Sequence, residues 1–325
     1  LLNGFGKPSR TRRQTRQNGP LPRGPDALSS STPILTASLL AMPSLDRTDI
    51  LNRFHALNGP LVGAGVGSGF AAKFAERGGA DFVIVHNAGR FRAAGTGSLA
   101  GLLPFGDANA ITADIAEEVV RAVDDIPVFA GVCGTDPLRS IPAFLEKLET
   151  IGVAGIQNFP TVGVIDGAFR QHLDETGLGF EQEVEMIRQA DEHGFVTAPY
   201  VFNEAQTQAM AEVGADVVVP HMGLTTKGDT GATTALTFDT AADRVQVLHD
   251  TAVDTDPSVQ VVCHGGPMAE PEDVQAIFDR TDGLDGFFGA SSIERLPVEP
   301  AIEEQTRRFK KLDPEGTREK TTEPR

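Results

Sequence analysis

The stretch Glu212-Val-Gly-Ala-Asp-Val-Val-Val-Pro-His221 holds a complete fold unit. Glycine ends a helix because it enters the left-handed C-cap without strain. An aspartate then opens the next segment, and a short β-branched run finishes in histidine. Glu76-Arg-Gly-Gly-Ala-Asp-Phe-Val-Ile-Val-His86 has the same grammar. Six further apolar runs begin near Leu61, Pro127, Ala154, Phe195, Gln260 and Gly286. All are nearly continuous rather than alternating, as strands buried on both faces are. Helical patterns lie between them. Ile111, Ile115, Val119 and Val123 recur every four residues, and Asn203 is placed to cap a helix turning Ala205, Ala209, Met210 and Val213 inward. Eight strand–helix beats of this kind favour a closed (β/α)8 TIM barrel over residues 46–312, rather than an open doubly wound sheet. Asp46–Leu57 is predicted as an extra N-terminal helix.

Composition narrows the function. The chain has 325 residues, 40% of them hydrophobic, enough for a core without staples. Two cysteines, Cys133 and Cys263, cannot build a disulfide framework or a four-cysteine zinc site. No apolar run approaches the ~18 residues of a membrane span. Against 28 basic residues stand 45 acidic ones, a net of −17, which disfavours nucleic acid as a partner. A cytoplasmic protein is expected. Residues 1–45 hold six basic residues and one acid, so the other 280 hold 22 basic and 44 acidic, a net of −22. That imbalance suits a protein kept soluble in concentrated salt, a halophilic trait. The first 45 residues read as a disordered basic tail, with Met42 an alternative start, and 313–325 as a polar C-terminal tail.

In such a barrel the active site gathers where strands end and βα loops begin. After strand one, Gly63-Ala-Gly-Val-Gly-Ser-Gly69 is either a phosphate cradle around Gly65 or a tight barrel turn. The loop after strand two, read as irregular from His86 to Asn109, carries Asn87 and two arginines, Arg90 and Arg92, suited to a carboxylate or phosphate. Strand three runs into Asp136, a general base or metal ligand if it faces the mouth and a helix start if it does not. Strand four ends in Asn158, whose amide can address a substrate oxygen, and strand five brings Tyr200.

His86, His221 and His264 end strands two, six and seven. One such histidine is more often a packed residue; three at one rim point to acid/base or metal chemistry. Gly265-Gly266 and Ser291-Ser292 follow strands seven and eight, where this architecture often holds phosphate. Thr225–Gly231 reads as a lid carrying Lys227.

These strand-end phrases together resemble the phosphoenolpyruvate hydrolase-like TIM-barrel family. They are Gly63–Gly69, Asn87-Ala-Gly-Arg-Phe-Arg92, Gly97-Ser-Leu-Ala-Gly-Leu-Leu-Pro104 and Gly106-Asp-Ala-Asn-Ala110. Further on come Gln157-Asn-Phe-Pro-Thr-Val-Gly163, His221-Met-Gly-Leu-Thr-Thr226, Cys263-His-Gly-Gly-Pro267 and Gly289-Ala-Ser-Ser-Ile-Glu-Arg-Leu-Pro297. The resemblance implies an intracellular, often homo-oligomeric TIM barrel related to the phosphoenolpyruvate mutase and phosphonopyruvate hydrolase group. It also implies Mg²⁺ as candidate cofactor, because mutase-group enzymes hold that ion with acidic residues at successive strand ends. In this chain strand two ends in His86-Asn87, strand four in Asn158, and Asp136 is the obvious rim carboxylate.

Three functional readings stand side by side. The first is a hydrolase or lyase acting on a small anionic oxo-acid or a phosphorylated or phosphonate three-carbon substrate. In it His264 or His221 moves the proton, Asp136 is a further catalytic candidate, and Asn87 and Asn158 steady an oxyanion. Gly65, Arg90, Arg92, Gly265, Gly266, Ser291 and Ser292 bind the anion. The second is a non-catalytic barrel that binds a small anionic metabolite and signals to a partner. The third is a metal-dependent hydrolase using the three histidines. From the charge balance, the melting temperature should rise steadily from dilute buffer to molar salt; a scanning-calorimetry series showing no stabilisation would contradict the halophilic reading.

Overall fold

The ring of strands closes through a stave built from two halves. The computed structural model describes residues 46–313, so the predicted tail over 1–45, the alternative start at Met42 and residues 314–325 of the polar C-terminal segment lie outside the described residues. The strands are β1 Leu61–Val66, β2 Phe82–Val85, β3 Val128–Val132, β4 Gly155–Asn158, β5 Val196–Thr197, β6 Tyr200–Val201, β7 Val217–Pro220, β8 Gln260–His264 and β9 Gly286–Gly289. All pair in parallel, in the order β5-β4-β3-β2-β1-β9-β8-β7-β6. The two ends of that order, β5 and β6, are separated in the chain only by Ala198 and Pro199. One run of sequence therefore pairs first with β4 and then with β7. The fold is the TIM barrel expected from the eight apolar runs.

Pro199 explains why this stave splits, since it has no N–H to give to a ladder. The side chain of Asn158 takes over at that point. Its Oδ1 accepts from the Tyr200 amide at 2.6 Å, and its Nδ2 donates to the Tyr200 carbonyl at 3.2 Å. On the other side Pro199 O accepts from the Val219 amide at 2.9 Å.

Aspartates at the strand starts latch neighbouring strands. Asp81 accepts from the Val62 amide at 2.8 Å, Asp216 from the Thr197 amide at 2.9 Å, and Asp285 from the Val261 amide at 2.7 Å. Each closes an N–H near the start of the adjacent strand, which is the physical content of the Gly-Ala-Asp phrase. Asp216 also holds Arg47 of the extra helix Arg47–His55 at 2.8 Å, and Asp191 holds the same guanidinium at 2.6 Å. Phe54 from that helix packs against the ring of Phe82, 5.5 Å between centroids, and Phe82 stacks on Phe129 at 5.0 Å. Aromatic rings thus fill the barrel interior beneath the mouth. Gly63 and Gly155 leave the space, because a Cβ on either would collide with the Phe82 or Phe129 ring.

Two local expectations differ. The segment after β2 is not irregular: it holds the helix Asn87–Ala93 and a 3₁₀ turn over Ser98–Leu102. The helix Glu204–Glu212 is capped by Asn203 as expected, but it buries Gln206, Thr207, Met210 and Ala211 while Ala205 is exposed. Gln206 can be buried because its amide is satisfied, accepting from Phe202 N at 2.9 Å and donating to Gly163 O at 3.1 Å. Among the described residues no helix is long and apolar enough to cross a membrane.

Replacing Asp216 with Ala should lower unfolding free energy by about 2 kcal/mol, since it removes one of the two carboxylates on Arg47 and leaves the Thr197 amide without its partner. Asp114→Ala, on an exposed helix face, should stay within about 0.5 kcal/mol in the same urea titration.

Candidate functional site

At the C-terminal ends of the strands a cavity of about 150 Å³ opens. Tyr200 of β6, His221 after β7 and His264 at the end of β8 form a ring cluster beneath it. Centroids lie 4.9 Å apart for Tyr200 and His221, 5.1 Å for Tyr200 and His264, and 4.7 Å for the two histidines. His86 lies across the mouth against Phe159 at 4.4 Å, and all of these residues line the cavity.

Backbone partners assign the imidazole tautomers. His264 Nδ1 is 2.7 Å from the Phe288 carbonyl, so it carries the proton and leaves Nε2 as acceptor. Tyr200 Oη then donates to that Nε2 at 3.3 Å. His221 Nδ1 accepts from the Gly223 amide at 3.0 Å, which puts its proton on Nε2. Burial disfavours the charged ring in all three cases. His264 is pushed down to about 4 by burial, with the bond to Phe288 O opposing and Arg92 adding to the fall. His86 and His221 lie well below the ordinary imidazole value, again through burial first. Burial also raises the Tyr200 phenol. The mouth therefore holds neutral rings at neutral pH.

Arg92 is the deepest cation in the lining, its side chain 2% exposed. Nε bonds Glu294 at 2.6 Å and Nη2 donates to Gly65 O at 3.1 Å. Its Nη1 is buried and has no partner. Glu294 in turn accepts from the Gly67 amide at 2.6 Å, tying the β1 turn to the segment after β9. Arg295, also in the lining, pairs with Glu299 at 2.6 Å and donates to Lys227 O at 3.1 Å. No Asp or Glu among the described residues lines this cavity.

Of the residues singled out in the sequence, His264, His221, Arg92 and Ser291 line the cavity, together with His86 and Tyr200. The others stand outside its lining. Arg90 is exposed, two positions from Arg92 on the same helix and so on its far side. Asp136 accepts from the Leu138 amide at 3.0 Å, from Asn109 at 3.1 Å and from Arg139 at 3.2 Å, so it organises its own loop. Asn87 donates to Gly101 O at 2.9 Å, and Gly65 offers its carbonyl to Arg92. Asn158 is committed to Tyr200 and to Glu183. Gly265 and Gly266 have positive φ, yet Gly266 N donates to Gly223 O at 2.8 Å, so this turn spends that amide on the strand-six loop rather than on a ligand. Ser292 is half-buried beside Ser291. Lys227 of the expected lid pairs with Asp273 at 2.8 Å, while Thr225 and Thr230 of the same loop line the cavity.

Glu183 was not singled out by sequence. It is fully buried and accepts from Asn158 at 2.7 Å, Thr161 Oγ1 at 2.7 Å and the Val162 amide at 2.6 Å, holding the β4 loop whose Thr161 lines the mouth. Burial pushes its carboxyl up to about 7 against the pull of those donors. In the sequence it is one glutamate of three in Glu181–Glu185, indistinguishable from a solvated helix face.

The residues present do not fit Mg²⁺. That ion demands an octahedral shell of oxygens, usually with carboxylates. Among the described residues no three His, Cys, Asp or Glu side chains converge to hold a metal. The same finding weighs against the three-histidine metal hydrolase among the described residues. Cys263 is core, its thiol pushed up to about 12 by burial.

A family model described as phosphoenolpyruvate hydrolase-like matches residues 47–312. The tomato (Solanum lycopersicum) ToMV susceptible protein tm-1(GCR26) is 51% identical over 256 residues, 79% of this chain and 34% of that protein. The chain thus spans about a third of the length of this curated relative. Solved structures share the fold at low identity. Oxaloacetate acetylhydrolase superposes with TM-score 0.56 at 16% identity, covering 85% of this chain and 92% of that one. Phosphonopyruvate hydrolase in complex with oxalate and Mg²⁺ superposes with TM-score 0.56 at 15% identity, covering 82% and 87%.

The lowered histidines carry a pH signature. A ring that binds its proton less readily folded than unfolded contributes stability above the ordinary value near 6.5, and loses it as pH falls toward the folded value. For His264 the loss runs from about 6.5 down to about 4, at about 1.4 kcal/mol per pH unit. In ¹H–¹³C NMR the His264 ring should stay neutral to below pH 5, and a midpoint near 6.5 would contradict the closed arrangement of the rim.

Proposed function

The chain belongs to the phosphoenolpyruvate hydrolase-like family, and from that membership we propose that its barrel mouth binds a small organic acid and cleaves it by hydrolysis or carbon–carbon lysis. One observation carries the reading: the buried Arg92 Nη1, without a protein partner, in a lining that holds no carboxylate. A buried guanidinium nitrogen left unpaired is costly, and a ligand oxygen would remove that cost. The fold neighbours named as oxaloacetate acetylhydrolase and phosphonopyruvate hydrolase indicate oxo-acids as the class to test first.

In this reading Arg92 Nη1 takes a carboxylate oxygen, and His221, whose Nε2 carries the proton, steadies charge developing on the substrate oxygen. His264 Nε2, the acceptor held against Tyr200, serves as base. An anion bound beside it favours the protonated ring and so raises its affinity for the proton. Ser291 offers a hydroxyl at the same wall. No step passes through a metal. The absence of a lining carboxylate also favours a second reading, a metabolite-binding barrel without turnover, and assay of the bound acid separates the two.

Thermal-shift screening of the full chain against pyruvate, oxaloacetate, phosphonopyruvate and phosphoenolpyruvate, with and without Mg²⁺, tests the proposal. A ligand at 100 times its Kd stabilises by about 2.7 kcal/mol, a shift of roughly 4–5 °C at this size. Arg92→Lys keeps a charge for Glu294 but loses the fork, and should weaken binding about tenfold or more. A shift unchanged by both Arg92→Lys and His264→Gln would refute the assigned roles.

A further inference from the structure

The charges of the mouth are already balanced within the protein. Its lining contains two cations, Arg92 and Arg295, and each has its own carboxylate, Glu294 and Glu299. The three rim imidazoles have backbone or aromatic partners rather than acidic ones. Among the described residues no divalent-cation ligand set faces the cavity. A ligand with two or three negative charges would therefore enter a low-dielectric site with little net positive charge to meet it, at a cost that grows with each added charge. One carboxylate is different, because Arg92 lines the cavity and its buried Nη1 has no partner among the described residues.

Beside the hydroxyls of Ser98, Thr161, Thr225, Thr230 and Ser291, much of the remaining wall is hydrocarbon. Leu102, Phe159, Phe202 and Leu224 line the cavity, and Leu99 and Val164 join them at the rim while 46% and 41% exposed. Large apolar side chains left half in water around a cavity lined by charge-neutralised groups await an apolar surface. We infer that the ligand of this mouth is a singly charged carboxylic acid with a branched hydrocarbon or aromatic body, and not a phosphorylated or dicarboxylic acid. The inference rests on the reading that this cavity binds an organic acid. It narrows that reading to a class whose carboxylate sits at Arg92 and whose body covers Leu99 and Val164.

Isothermal titration of the full chain at neutral pH without divalent metal tests it. The probes are pyruvate, 2-oxobutanoate, 4-methyl-2-oxopentanoate and phenylpyruvate on one side, and oxaloacetate and phosphoenolpyruvate on the other. Affinity should rise about fourfold per added buried methylene, the equivalent of about 0.8 kcal/mol, so 4-methyl-2-oxopentanoate should bind tens of fold tighter than pyruvate. Oxaloacetate and phosphoenolpyruvate should bind about tenfold or more weaker than phenylpyruvate. In the double variant Leu99→Ser, Val164→Ser the ratio between 4-methyl-2-oxopentanoate and pyruvate should fall below about fivefold. Tighter binding of oxaloacetate or phosphoenolpyruvate, still abolished by Arg92→Lys, would overturn this inference and leave the organic-acid reading standing. An affinity flat along the carbon series, or a ratio unchanged in the double variant, would overturn it too. If no acid of either kind binds, the organic-acid reading itself falls, and this inference with it.

Discussion

A parallel sheet without free edges must join its first and last strands, and in this protein the joint is the weakest stretch of ladder in the ring. β5 and β6 are two residues each, with Pro199 between them unable to donate. The amide of Asn158 bridges the gap by bonding both backbone groups of Tyr200. Closure and site are thereby one network. The residue that Asn158 fixes is the one whose ring touches His221 and His264, and Asn158 also binds Glu183, which holds Thr161 at the cavity wall. Loosening the joint would loosen the mouth.

The second organising feature is neutrality. In a chain of net charge −17, no carboxylate among the described residues lines the cavity, and each lining arginine is paired. Surface acids are cheap because water solvates them; the same groups in a closed mouth would each need a partner. Burial then keeps the imidazoles uncharged, so the site works through hydrogen-bond geometry and the unpartnered Arg92 Nη1, His86 Nδ1 and Thr230 Oγ1. The resemblance to the mutase group implied Mg²⁺ held by acidic strand-end residues, and the donor set among the described residues does not supply them.

Much of this was legible in the chain. The eight apolar runs match the eight staves, and the Gly-Ala-Asp phrases at Ala80-Asp81 and Ala215-Asp216 do latch strands. His221 and His264 were readable as mouth residues because a strand end fixes where its last side chain can be. Loops were harder. Arg90 and Arg92 look equivalent in sequence, but at about 100° per residue a helix turns them to opposite sides, and the segment had been read as irregular. Gly265-Gly266 looked like a phosphate turn, yet its hydrogen bonding goes to Gly223 and Thr226. Glu183 was hidden among neighbouring glutamates whose side chains face water.

The sequence by itself determined the number, order and parallel sense of the strands, because period and punctuation are local properties that each short segment carries alone. It also determined which strand ends bear histidine. Only the tertiary structure decided which polar groups were still free for a ligand, since that depends on partners distant in the chain. Arg92 meets Glu294, Asn158 meets Tyr200 and Glu183, and His264 meets Phe288. What remains unspent after those pairings, chiefly one guanidinium nitrogen, is the site's offer to a ligand, and no one-dimensional pattern records it.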